Sequence, residues 1–170
     1  MSEIYFLATN ESDGCVIFDY SEIFDYHQCI TGFNIIKNEY SMIYDIVTDI
    51  KNVFALLNFE CVYLRELKFA DELIDKRDIY YFPKRFILGE GMNLSNVKTF
   101  QYLISLGADI STYDYHAAKW AVENEYLEII SLLINNGADI AVHNNYLIRC
   151  ASQNGSDYFD LVEISRNPKK

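Results

Sequence analysis

The sequence predicts an α+β fold: a small amino-terminal unit of strands and one helix over residues 1–94, followed over residues 95–170 by a solenoid of stacked helix pairs. Two observations predict the helical half. Residues 96–110 recur at 126–140, a shift of 30 positions that keeps six identities, among them Gly107/Gly137, Ala108/Ala138 and Asp109/Asp139. Val97, Phe100, Leu103 and Ile104, like Leu127, Ile130, Leu133 and Ile134, recur three and four positions apart, the spacing of a helix with one buried stripe. A third observation sets the first half apart: residues 1–94 have no 30-residue echo and carry short aromatic and β-branched runs instead.

Composition agrees with a packed chain. Of 170 residues, 51% are hydrophobic and 15% aromatic, against two prolines and seven glycines, which argues against disorder or a linker-rich chain. Apolar runs such as Ile79-Tyr80-Tyr81-Phe82 are far shorter than the roughly 20 residues of a membrane span. Met1-Ser2-Glu3-Ile4 offers neither the basic start nor the apolar stretch of a secretory signal, so an intracellular protein with reduced thiols is expected. Cys15, Cys29, Cys61 and Cys150 lie 14, 32 and 89 positions apart, without the close pairs of zinc or redox motifs. The net charge of −11, with ten acids against two lysines in residues 1–60, argues against nucleic-acid binding.

In chain order, Ile4 to Leu7 and Val16 to Phe18 are expected as strands joined by the turn residues 10–14, a hairpin. Met42 to Val47 is a further strand; Thr48 or Asp49 caps a helix running to about Asn58; Cys61 to Leu67 returns as a strand. Pro83 lacks a backbone donor and puts Ile79 to Leu88 on a sheet edge or in a loop. Ser95 then caps the first helix of the repeat region. Gly107 and Gly137 stand just past the apolar stripes, where a left-handed residue closes a helix, and Asp109 and Asp139 form the turns that follow. Between these stops His116 to Asn124 forms a shorter helix whose Ala117, Ala118 and Ala121 allow close approach, with Trp120 in the core. A weaker third copy begins at Asn144 and ends in a helix over Phe159 to Ser165, giving about two and a half repeats. The amino-terminal unit and this last helix would cover the ends of the stack.

The GADI turns, and Ala121-x-x-Asn124 followed by LEIISLLI, resemble ankyrin repeats over roughly residues 95–165. The period is 30 rather than the common 33, His116-Ala117-Ala118-Lys119 replaces the family tetrapeptide, and Glu125 occupies the usual inter-helix glycine. Such short repeats, and the order of segments before them, are similar to the ankyrin proteins of giant DNA viruses of amoebae. The resemblance implies a monomeric, non-catalytic protein-binding module acting in the host cytoplasm on a host or viral protein. It also implies a contact surface at the turn tips and inner-helix positions Thr112, Tyr113, Tyr115, Glu123, Asn124, His143, Asn145 and Gln153. Tyr113 and Tyr115 also stand out on their own, as aromatics outside the apolar stripe; Tyr115 could equally staple the next helix.

Two other functions have a footing in the residues. Asp25-Tyr26-His27-Gln28-Cys29 puts acid, base and thiol together, the minimum for a small thiol- or histidine-dependent enzyme in the amino-terminal unit, but closeness in sequence is not a triad. A ubiquitin-ligase adaptor would call for an F-box-like carboxyl segment, which does not follow the repeats. No phosphate loop, GxSxG, HExxH or paired zinc spacing occurs, so no cofactor or metal is expected. His116 and His143, 27 residues apart and out of phase with the repeat, are expected as surface polar residues.

Overall fold

The computed structural model describes residues 4–9, 32–35, 47–57, 62–69, 76–78, 80–81 and 85–139. The strands are β1 (Tyr5–Thr9), β2 (Gly32–Ile35), β3 (Val47–Asp49), β4 (Tyr63–Phe69), β5 (Lys76–Arg77), β6 (Tyr80–Tyr81) and β7 (Arg85–Asn93). Among the described residues they form one antiparallel sheet in the order β2-β7-β4-β1-β3-β6-β5. A 3-10 helix over Ile50–Leu56 follows β3, and the helices α1 (Val97–Ser105), α2 (Thr112–Glu123) and α3 (Leu127–Asn135) follow β7.

β1 is buried along its whole length, which fits its apolar run from Tyr5 to Ala8; Thr9 at its end is buried too. Phe6 and Ala8 face the helices, while Tyr5 and Leu7 face the other side with Val47, Leu67, Phe86 and Leu88. Both edges of β1 are taken, by β3 and by β4, so the hairpin partnership expected with Val16 to Phe18 is not how β1 is held. Residues 16–18 lie outside the described residues, as do 42–46 of the strand expected to end at Val47. The helix after it is capped at Asp49, whose carboxylate accepts the Asn52 amide at 3.1 Å, and it is a 3-10 helix ending at Leu56.

The segment around Pro83 differs most from expectation. It divides into β6, next to the sheet edge, and β7, an interior strand between β2 and β4; Pro83 itself is outside the described residues. β7 runs on through Gly89 and Gly91 because its partner needs their bareness. A Cβ on Gly91 would come within 3.1 Å of the Tyr63 ring and 3.2 Å of the Arg65 guanidinium. Arg65 is 3% exposed and donates to the Gly89 carbonyl at 3.0 Å and towards the Thr9 hydroxyl at 3.4 Å. A shift of register between Arg65 and Leu67 marks the same place.

The cap of α1 is Asn96 rather than Ser95: its side chain accepts the Lys98 amide at 3.0 Å. Ser95 is held one step earlier, donating from its amide and hydroxyl to the Asn93 side chain, both at 2.7 Å. The two glycine stops behave as the repeat predicts. Gly107 and Gly137 have φ of 98° and 96°, and each closes its helix with the same pair of bonds. Gly107 and Ala108 donate to Ile104 and Leu103 at 3.0 Å, and Gly137 and Ala138 to Ile134 and Leu133 at 2.9 Å.

One apolar core joins the sheet to the helices: Phe6, Phe54, Leu57, Leu64 and Leu94 pack in the same cluster as Phe100, Leu103, Ala117, Trp120, Ile130 and Leu133. Aromatic rings run through it. Phe54 stacks on Phe100 at 5.5 Å, Phe100 on Trp120 at 5.9 Å, and Trp120 meets Tyr126 at 5.2 Å with the rings tilted by 53°. Trp120 is 3% exposed, as its place among small alanines on α2 implied. The third repeat copy and the helix expected over Phe159 to Ser165 lie outside the described residues.

Candidate functional site

The turn between α1 and α2 is built from its first carboxylate. Asp109 accepts the Ser111 amide at 2.9 Å and the Ser111 hydroxyl at 2.7 Å, a turn closed by an aspartate side chain. Those two bonds hold the Asp109 carboxyl below its usual pKa. The Asp109 amide and the Thr112 hydroxyl both donate to the Lys51 carbonyl at 3.2 Å, so the turn is tied to the first turn of the 3-10 helix. At the other end of that helix, the Leu57 carbonyl lies 2.6 Å from His116 Nε2, which must carry the proton because a carbonyl only accepts. His116 is therefore a half-buried link between α2 and the sheet unit, a correction to its expected place on the surface.

Beyond Thr112 the backbone takes an unusual path: Tyr113, Asp114 and Tyr115 have φ of 49°, 53° and 59°. Left-handed residues other than glycine cost roughly 1–2 kcal/mol each, so three in succession persist only under constraint from their neighbours. The path separates the two tyrosines. Tyr113 is 53% exposed at the tip, whereas Tyr115 is half-buried and packs against the core. Asp114, between them, is exposed, and no glycine or asparagine in the sequence signals the left-handed turn that puts it there.

The remaining sequence-derived positions divide likewise. Thr112 is half-buried and committed to Lys51. Glu123 is exposed at the last turn of α2, and Asn124 turns its side-chain amide back to the Trp120 carbonyl at 2.8 Å. Glu125 takes φ of 60°, the left-handed conformation that suits the glycine it stands for. His143, Asn145 and Gln153 lie outside the described residues, as do His27 and all four cysteines. Elsewhere Tyr102 donates to the Glu66 carboxylate at 2.5 Å, pinning α1 over β4 and raising the phenol pKa. Among the described residues no group of three or more histidine, cysteine or acidic side chains could hold a metal. No described helix is long and apolar enough to cross a membrane.

The ankyrin repeat family profile matches residues 116–145, which begin at the His116 link and include α3 with its glycine closure. The chain carries an ankyrin repeat. Several relatives carry the name of the same repeat. A provisionally named ankyrin repeat protein of Acanthamoeba polyphaga mimivirus is 28% identical over 151 residues, covering 79% of this chain and 68% of the relative. A second such mimivirus protein is 23% identical over 171 residues, covering 96% of this chain but only 35% of the relative. A third, 40% identical over 91 residues, covers 48% of this chain and 19% of its own length. The proteins it resembles are thus ankyrin repeat proteins of a giant virus of amoebae, and the chain spans about a third of the second relative and a fifth of the third. No solved structure matches the chain.

Proposed function

We propose that this chain is a non-catalytic protein-binding module whose ankyrin turn, tipped by Tyr113, contacts a host or viral protein in the infected cell. The observation that carries this reading is the exposure of Tyr113 on a turn whose other members are committed to internal bonds. An aromatic side chain fixed on a rigid backbone loses little freedom on binding and supplies a large contact area. Glu123 adds a second exposed contact, and the sequence repeat adds His143, Asn145 and Gln153 to the same proposed surface. Tyr115 and Asn124 act from beneath it, Tyr115 through packing and Asn124 through its bond to the Trp120 carbonyl. The ankyrin resemblance and the names of the relatives support the function class.

Affinity capture of the full chain from infected amoebae, compared with a Tyr113→Ala, Glu123→Ala variant, tests the proposal. One protein enriched by the parent and lost from the variant, at an unchanged melting temperature, is the expected result. Equal enrichment with both would move the contact elsewhere.

A further inference from the structure

The sequence contains two asparagine-glycine pairs, Asn136-Gly137 and Asn154-Gly155. Asn136 is the exposed residue that closes α3, and nothing lies within 4 Å of a Cβ placed on Gly137. A glycine amide nitrogen is open to approach by the preceding side chain. We propose that Asn136 is a site of spontaneous deamidation, gated by the hydrogen bonds that close α3.

In the reaction the Gly137 nitrogen loses its proton to solvent and attacks Asn136 Cγ. A C–N bond forms, the Cγ–Nδ2 bond breaks, and Nδ2 leaves as ammonia after taking up a proton. Water then opens the five-membered imide at either carbonyl, leaving aspartate or isoaspartate. Water is the only co-reactant.

The folded chain restrains both nitrogens. The attacking one is engaged, since the Gly137 amide donates to the Ile134 carbonyl at 2.9 Å. The leaving one is turned back along the helix, donating to the Leu132 carbonyl at 2.8 Å. Both bonds must break before Cγ and the nitrogen can meet, so the reaction waits on local opening of the last turn of α3. The matching closure of α1 carries Leu106 in place of asparagine, so this chemistry is confined to one of the two stops. Either product disturbs the closure. An aspartate adds negative charge at the negative end of a helix, and an isoaspartate lengthens the backbone by a carbon just before Gly137 and Ala138 donate to α3.

The test incubates the full chain at mildly alkaline pH, in buffer and in urea above its unfolding midpoint, and follows ammonia loss and isoaspartate at Asn136 by peptide mass spectrometry. Product at Asn136 should form at least about ten-fold faster in urea than in buffer, as expected of a site that reacts only on opening. Ile134→Ala, which loosens the packing of α3, should raise the rate in buffer and leave the rate in urea unchanged. Equal rates in buffer and urea would refute the gate. Failure of Asn136 to react in urea, whether or not Asn154 does, would refute the site.

Discussion

His116 Nε2 and the Leu57 carbonyl oxygen meet at 2.6 Å, and this bond joins α2 to the end of the 3-10 helix. Replacing His116 by alanine leaves that carbonyl without its donor. The expected loss is about 1–3 kcal/mol, visible as a lower urea midpoint; an unchanged midpoint would mean that water replaces the imidazole without cost.

Trp120 lies between Phe100 and Tyr126 in the ring series that crosses the core. Trp120→Ala is expected to destabilise by about 3–5 kcal/mol through lost burial and an unfilled cavity. It is also the single tryptophan, so its fluorescence in the parent chain reports unfolding of the shared core. The variant's loss is measurable by circular dichroism in urea.

Glu125 holds a left-handed backbone without the freedom of glycine. Glu125→Gly should raise stability by about 0.5–1 kcal/mol, the strain relieved less the entropy that glycine adds to the unfolded chain. A fall in the melting temperature of this variant would show that the Glu125 side chain contributes more than its backbone costs.

Gly91→Ala pushes a methyl group between the Tyr63 ring and the buried Arg65 guanidinium. A cost of about 1–3 kcal/mol is expected. Pairing the change with Arg65→Met in a double-mutant cycle should recover part of it; strict additivity of the two losses would assign the clash to the Tyr63 ring alone.

The Asp109 carboxyl is held below its usual pKa by the Ser111 hydroxyl and amide. Its folded pKa is below the unfolded one, so its contribution is complete above the unfolded value of about 4 and is lost as pH falls through the folded value. Asp109→Asn should therefore flatten the acid limb of the stability profile, which urea titration from about pH 6 down to about pH 2 would reveal. The effect is small because the carboxylate is exposed.

The closures of α1 and α3 were legible because a glycine recurring at a fixed interval after an apolar stripe has few other uses, and the two φ values agree. The cap at Asp49 was legible as one of two, Thr48 being the other, because a short polar side chain before a helix accepts its first free amides. β7 was hidden because Pro83 pointed to a sheet edge or a loop; its continuation through Gly89 and Gly91 depends on Tyr63 and Arg65, far away in sequence. Ser95 and Asn96 are both good caps, and only the competing bonds to Asn93 decide between them. At the candidate site, the sequence marks Tyr113 as an exposed aromatic, whereas Tyr115 has two readings, a contact residue or a staple of the next helix. The inward path of Tyr115 follows from a left-handed run that no residue type announces.

That run also bears on the kinetics of recognition. Lys51 fixes the Tyr113 turn from 61 positions upstream of Thr112, so the ring is presented before any partner arrives. A partner meeting it should associate in a single step, with no slow phase for rearrangement of the turn. Changes that weaken the Lys51 tether would give the tip several conformations and lower the fraction of molecules competent to bind. The 3-10 helix would then govern how often an encounter succeeds, without touching the partner.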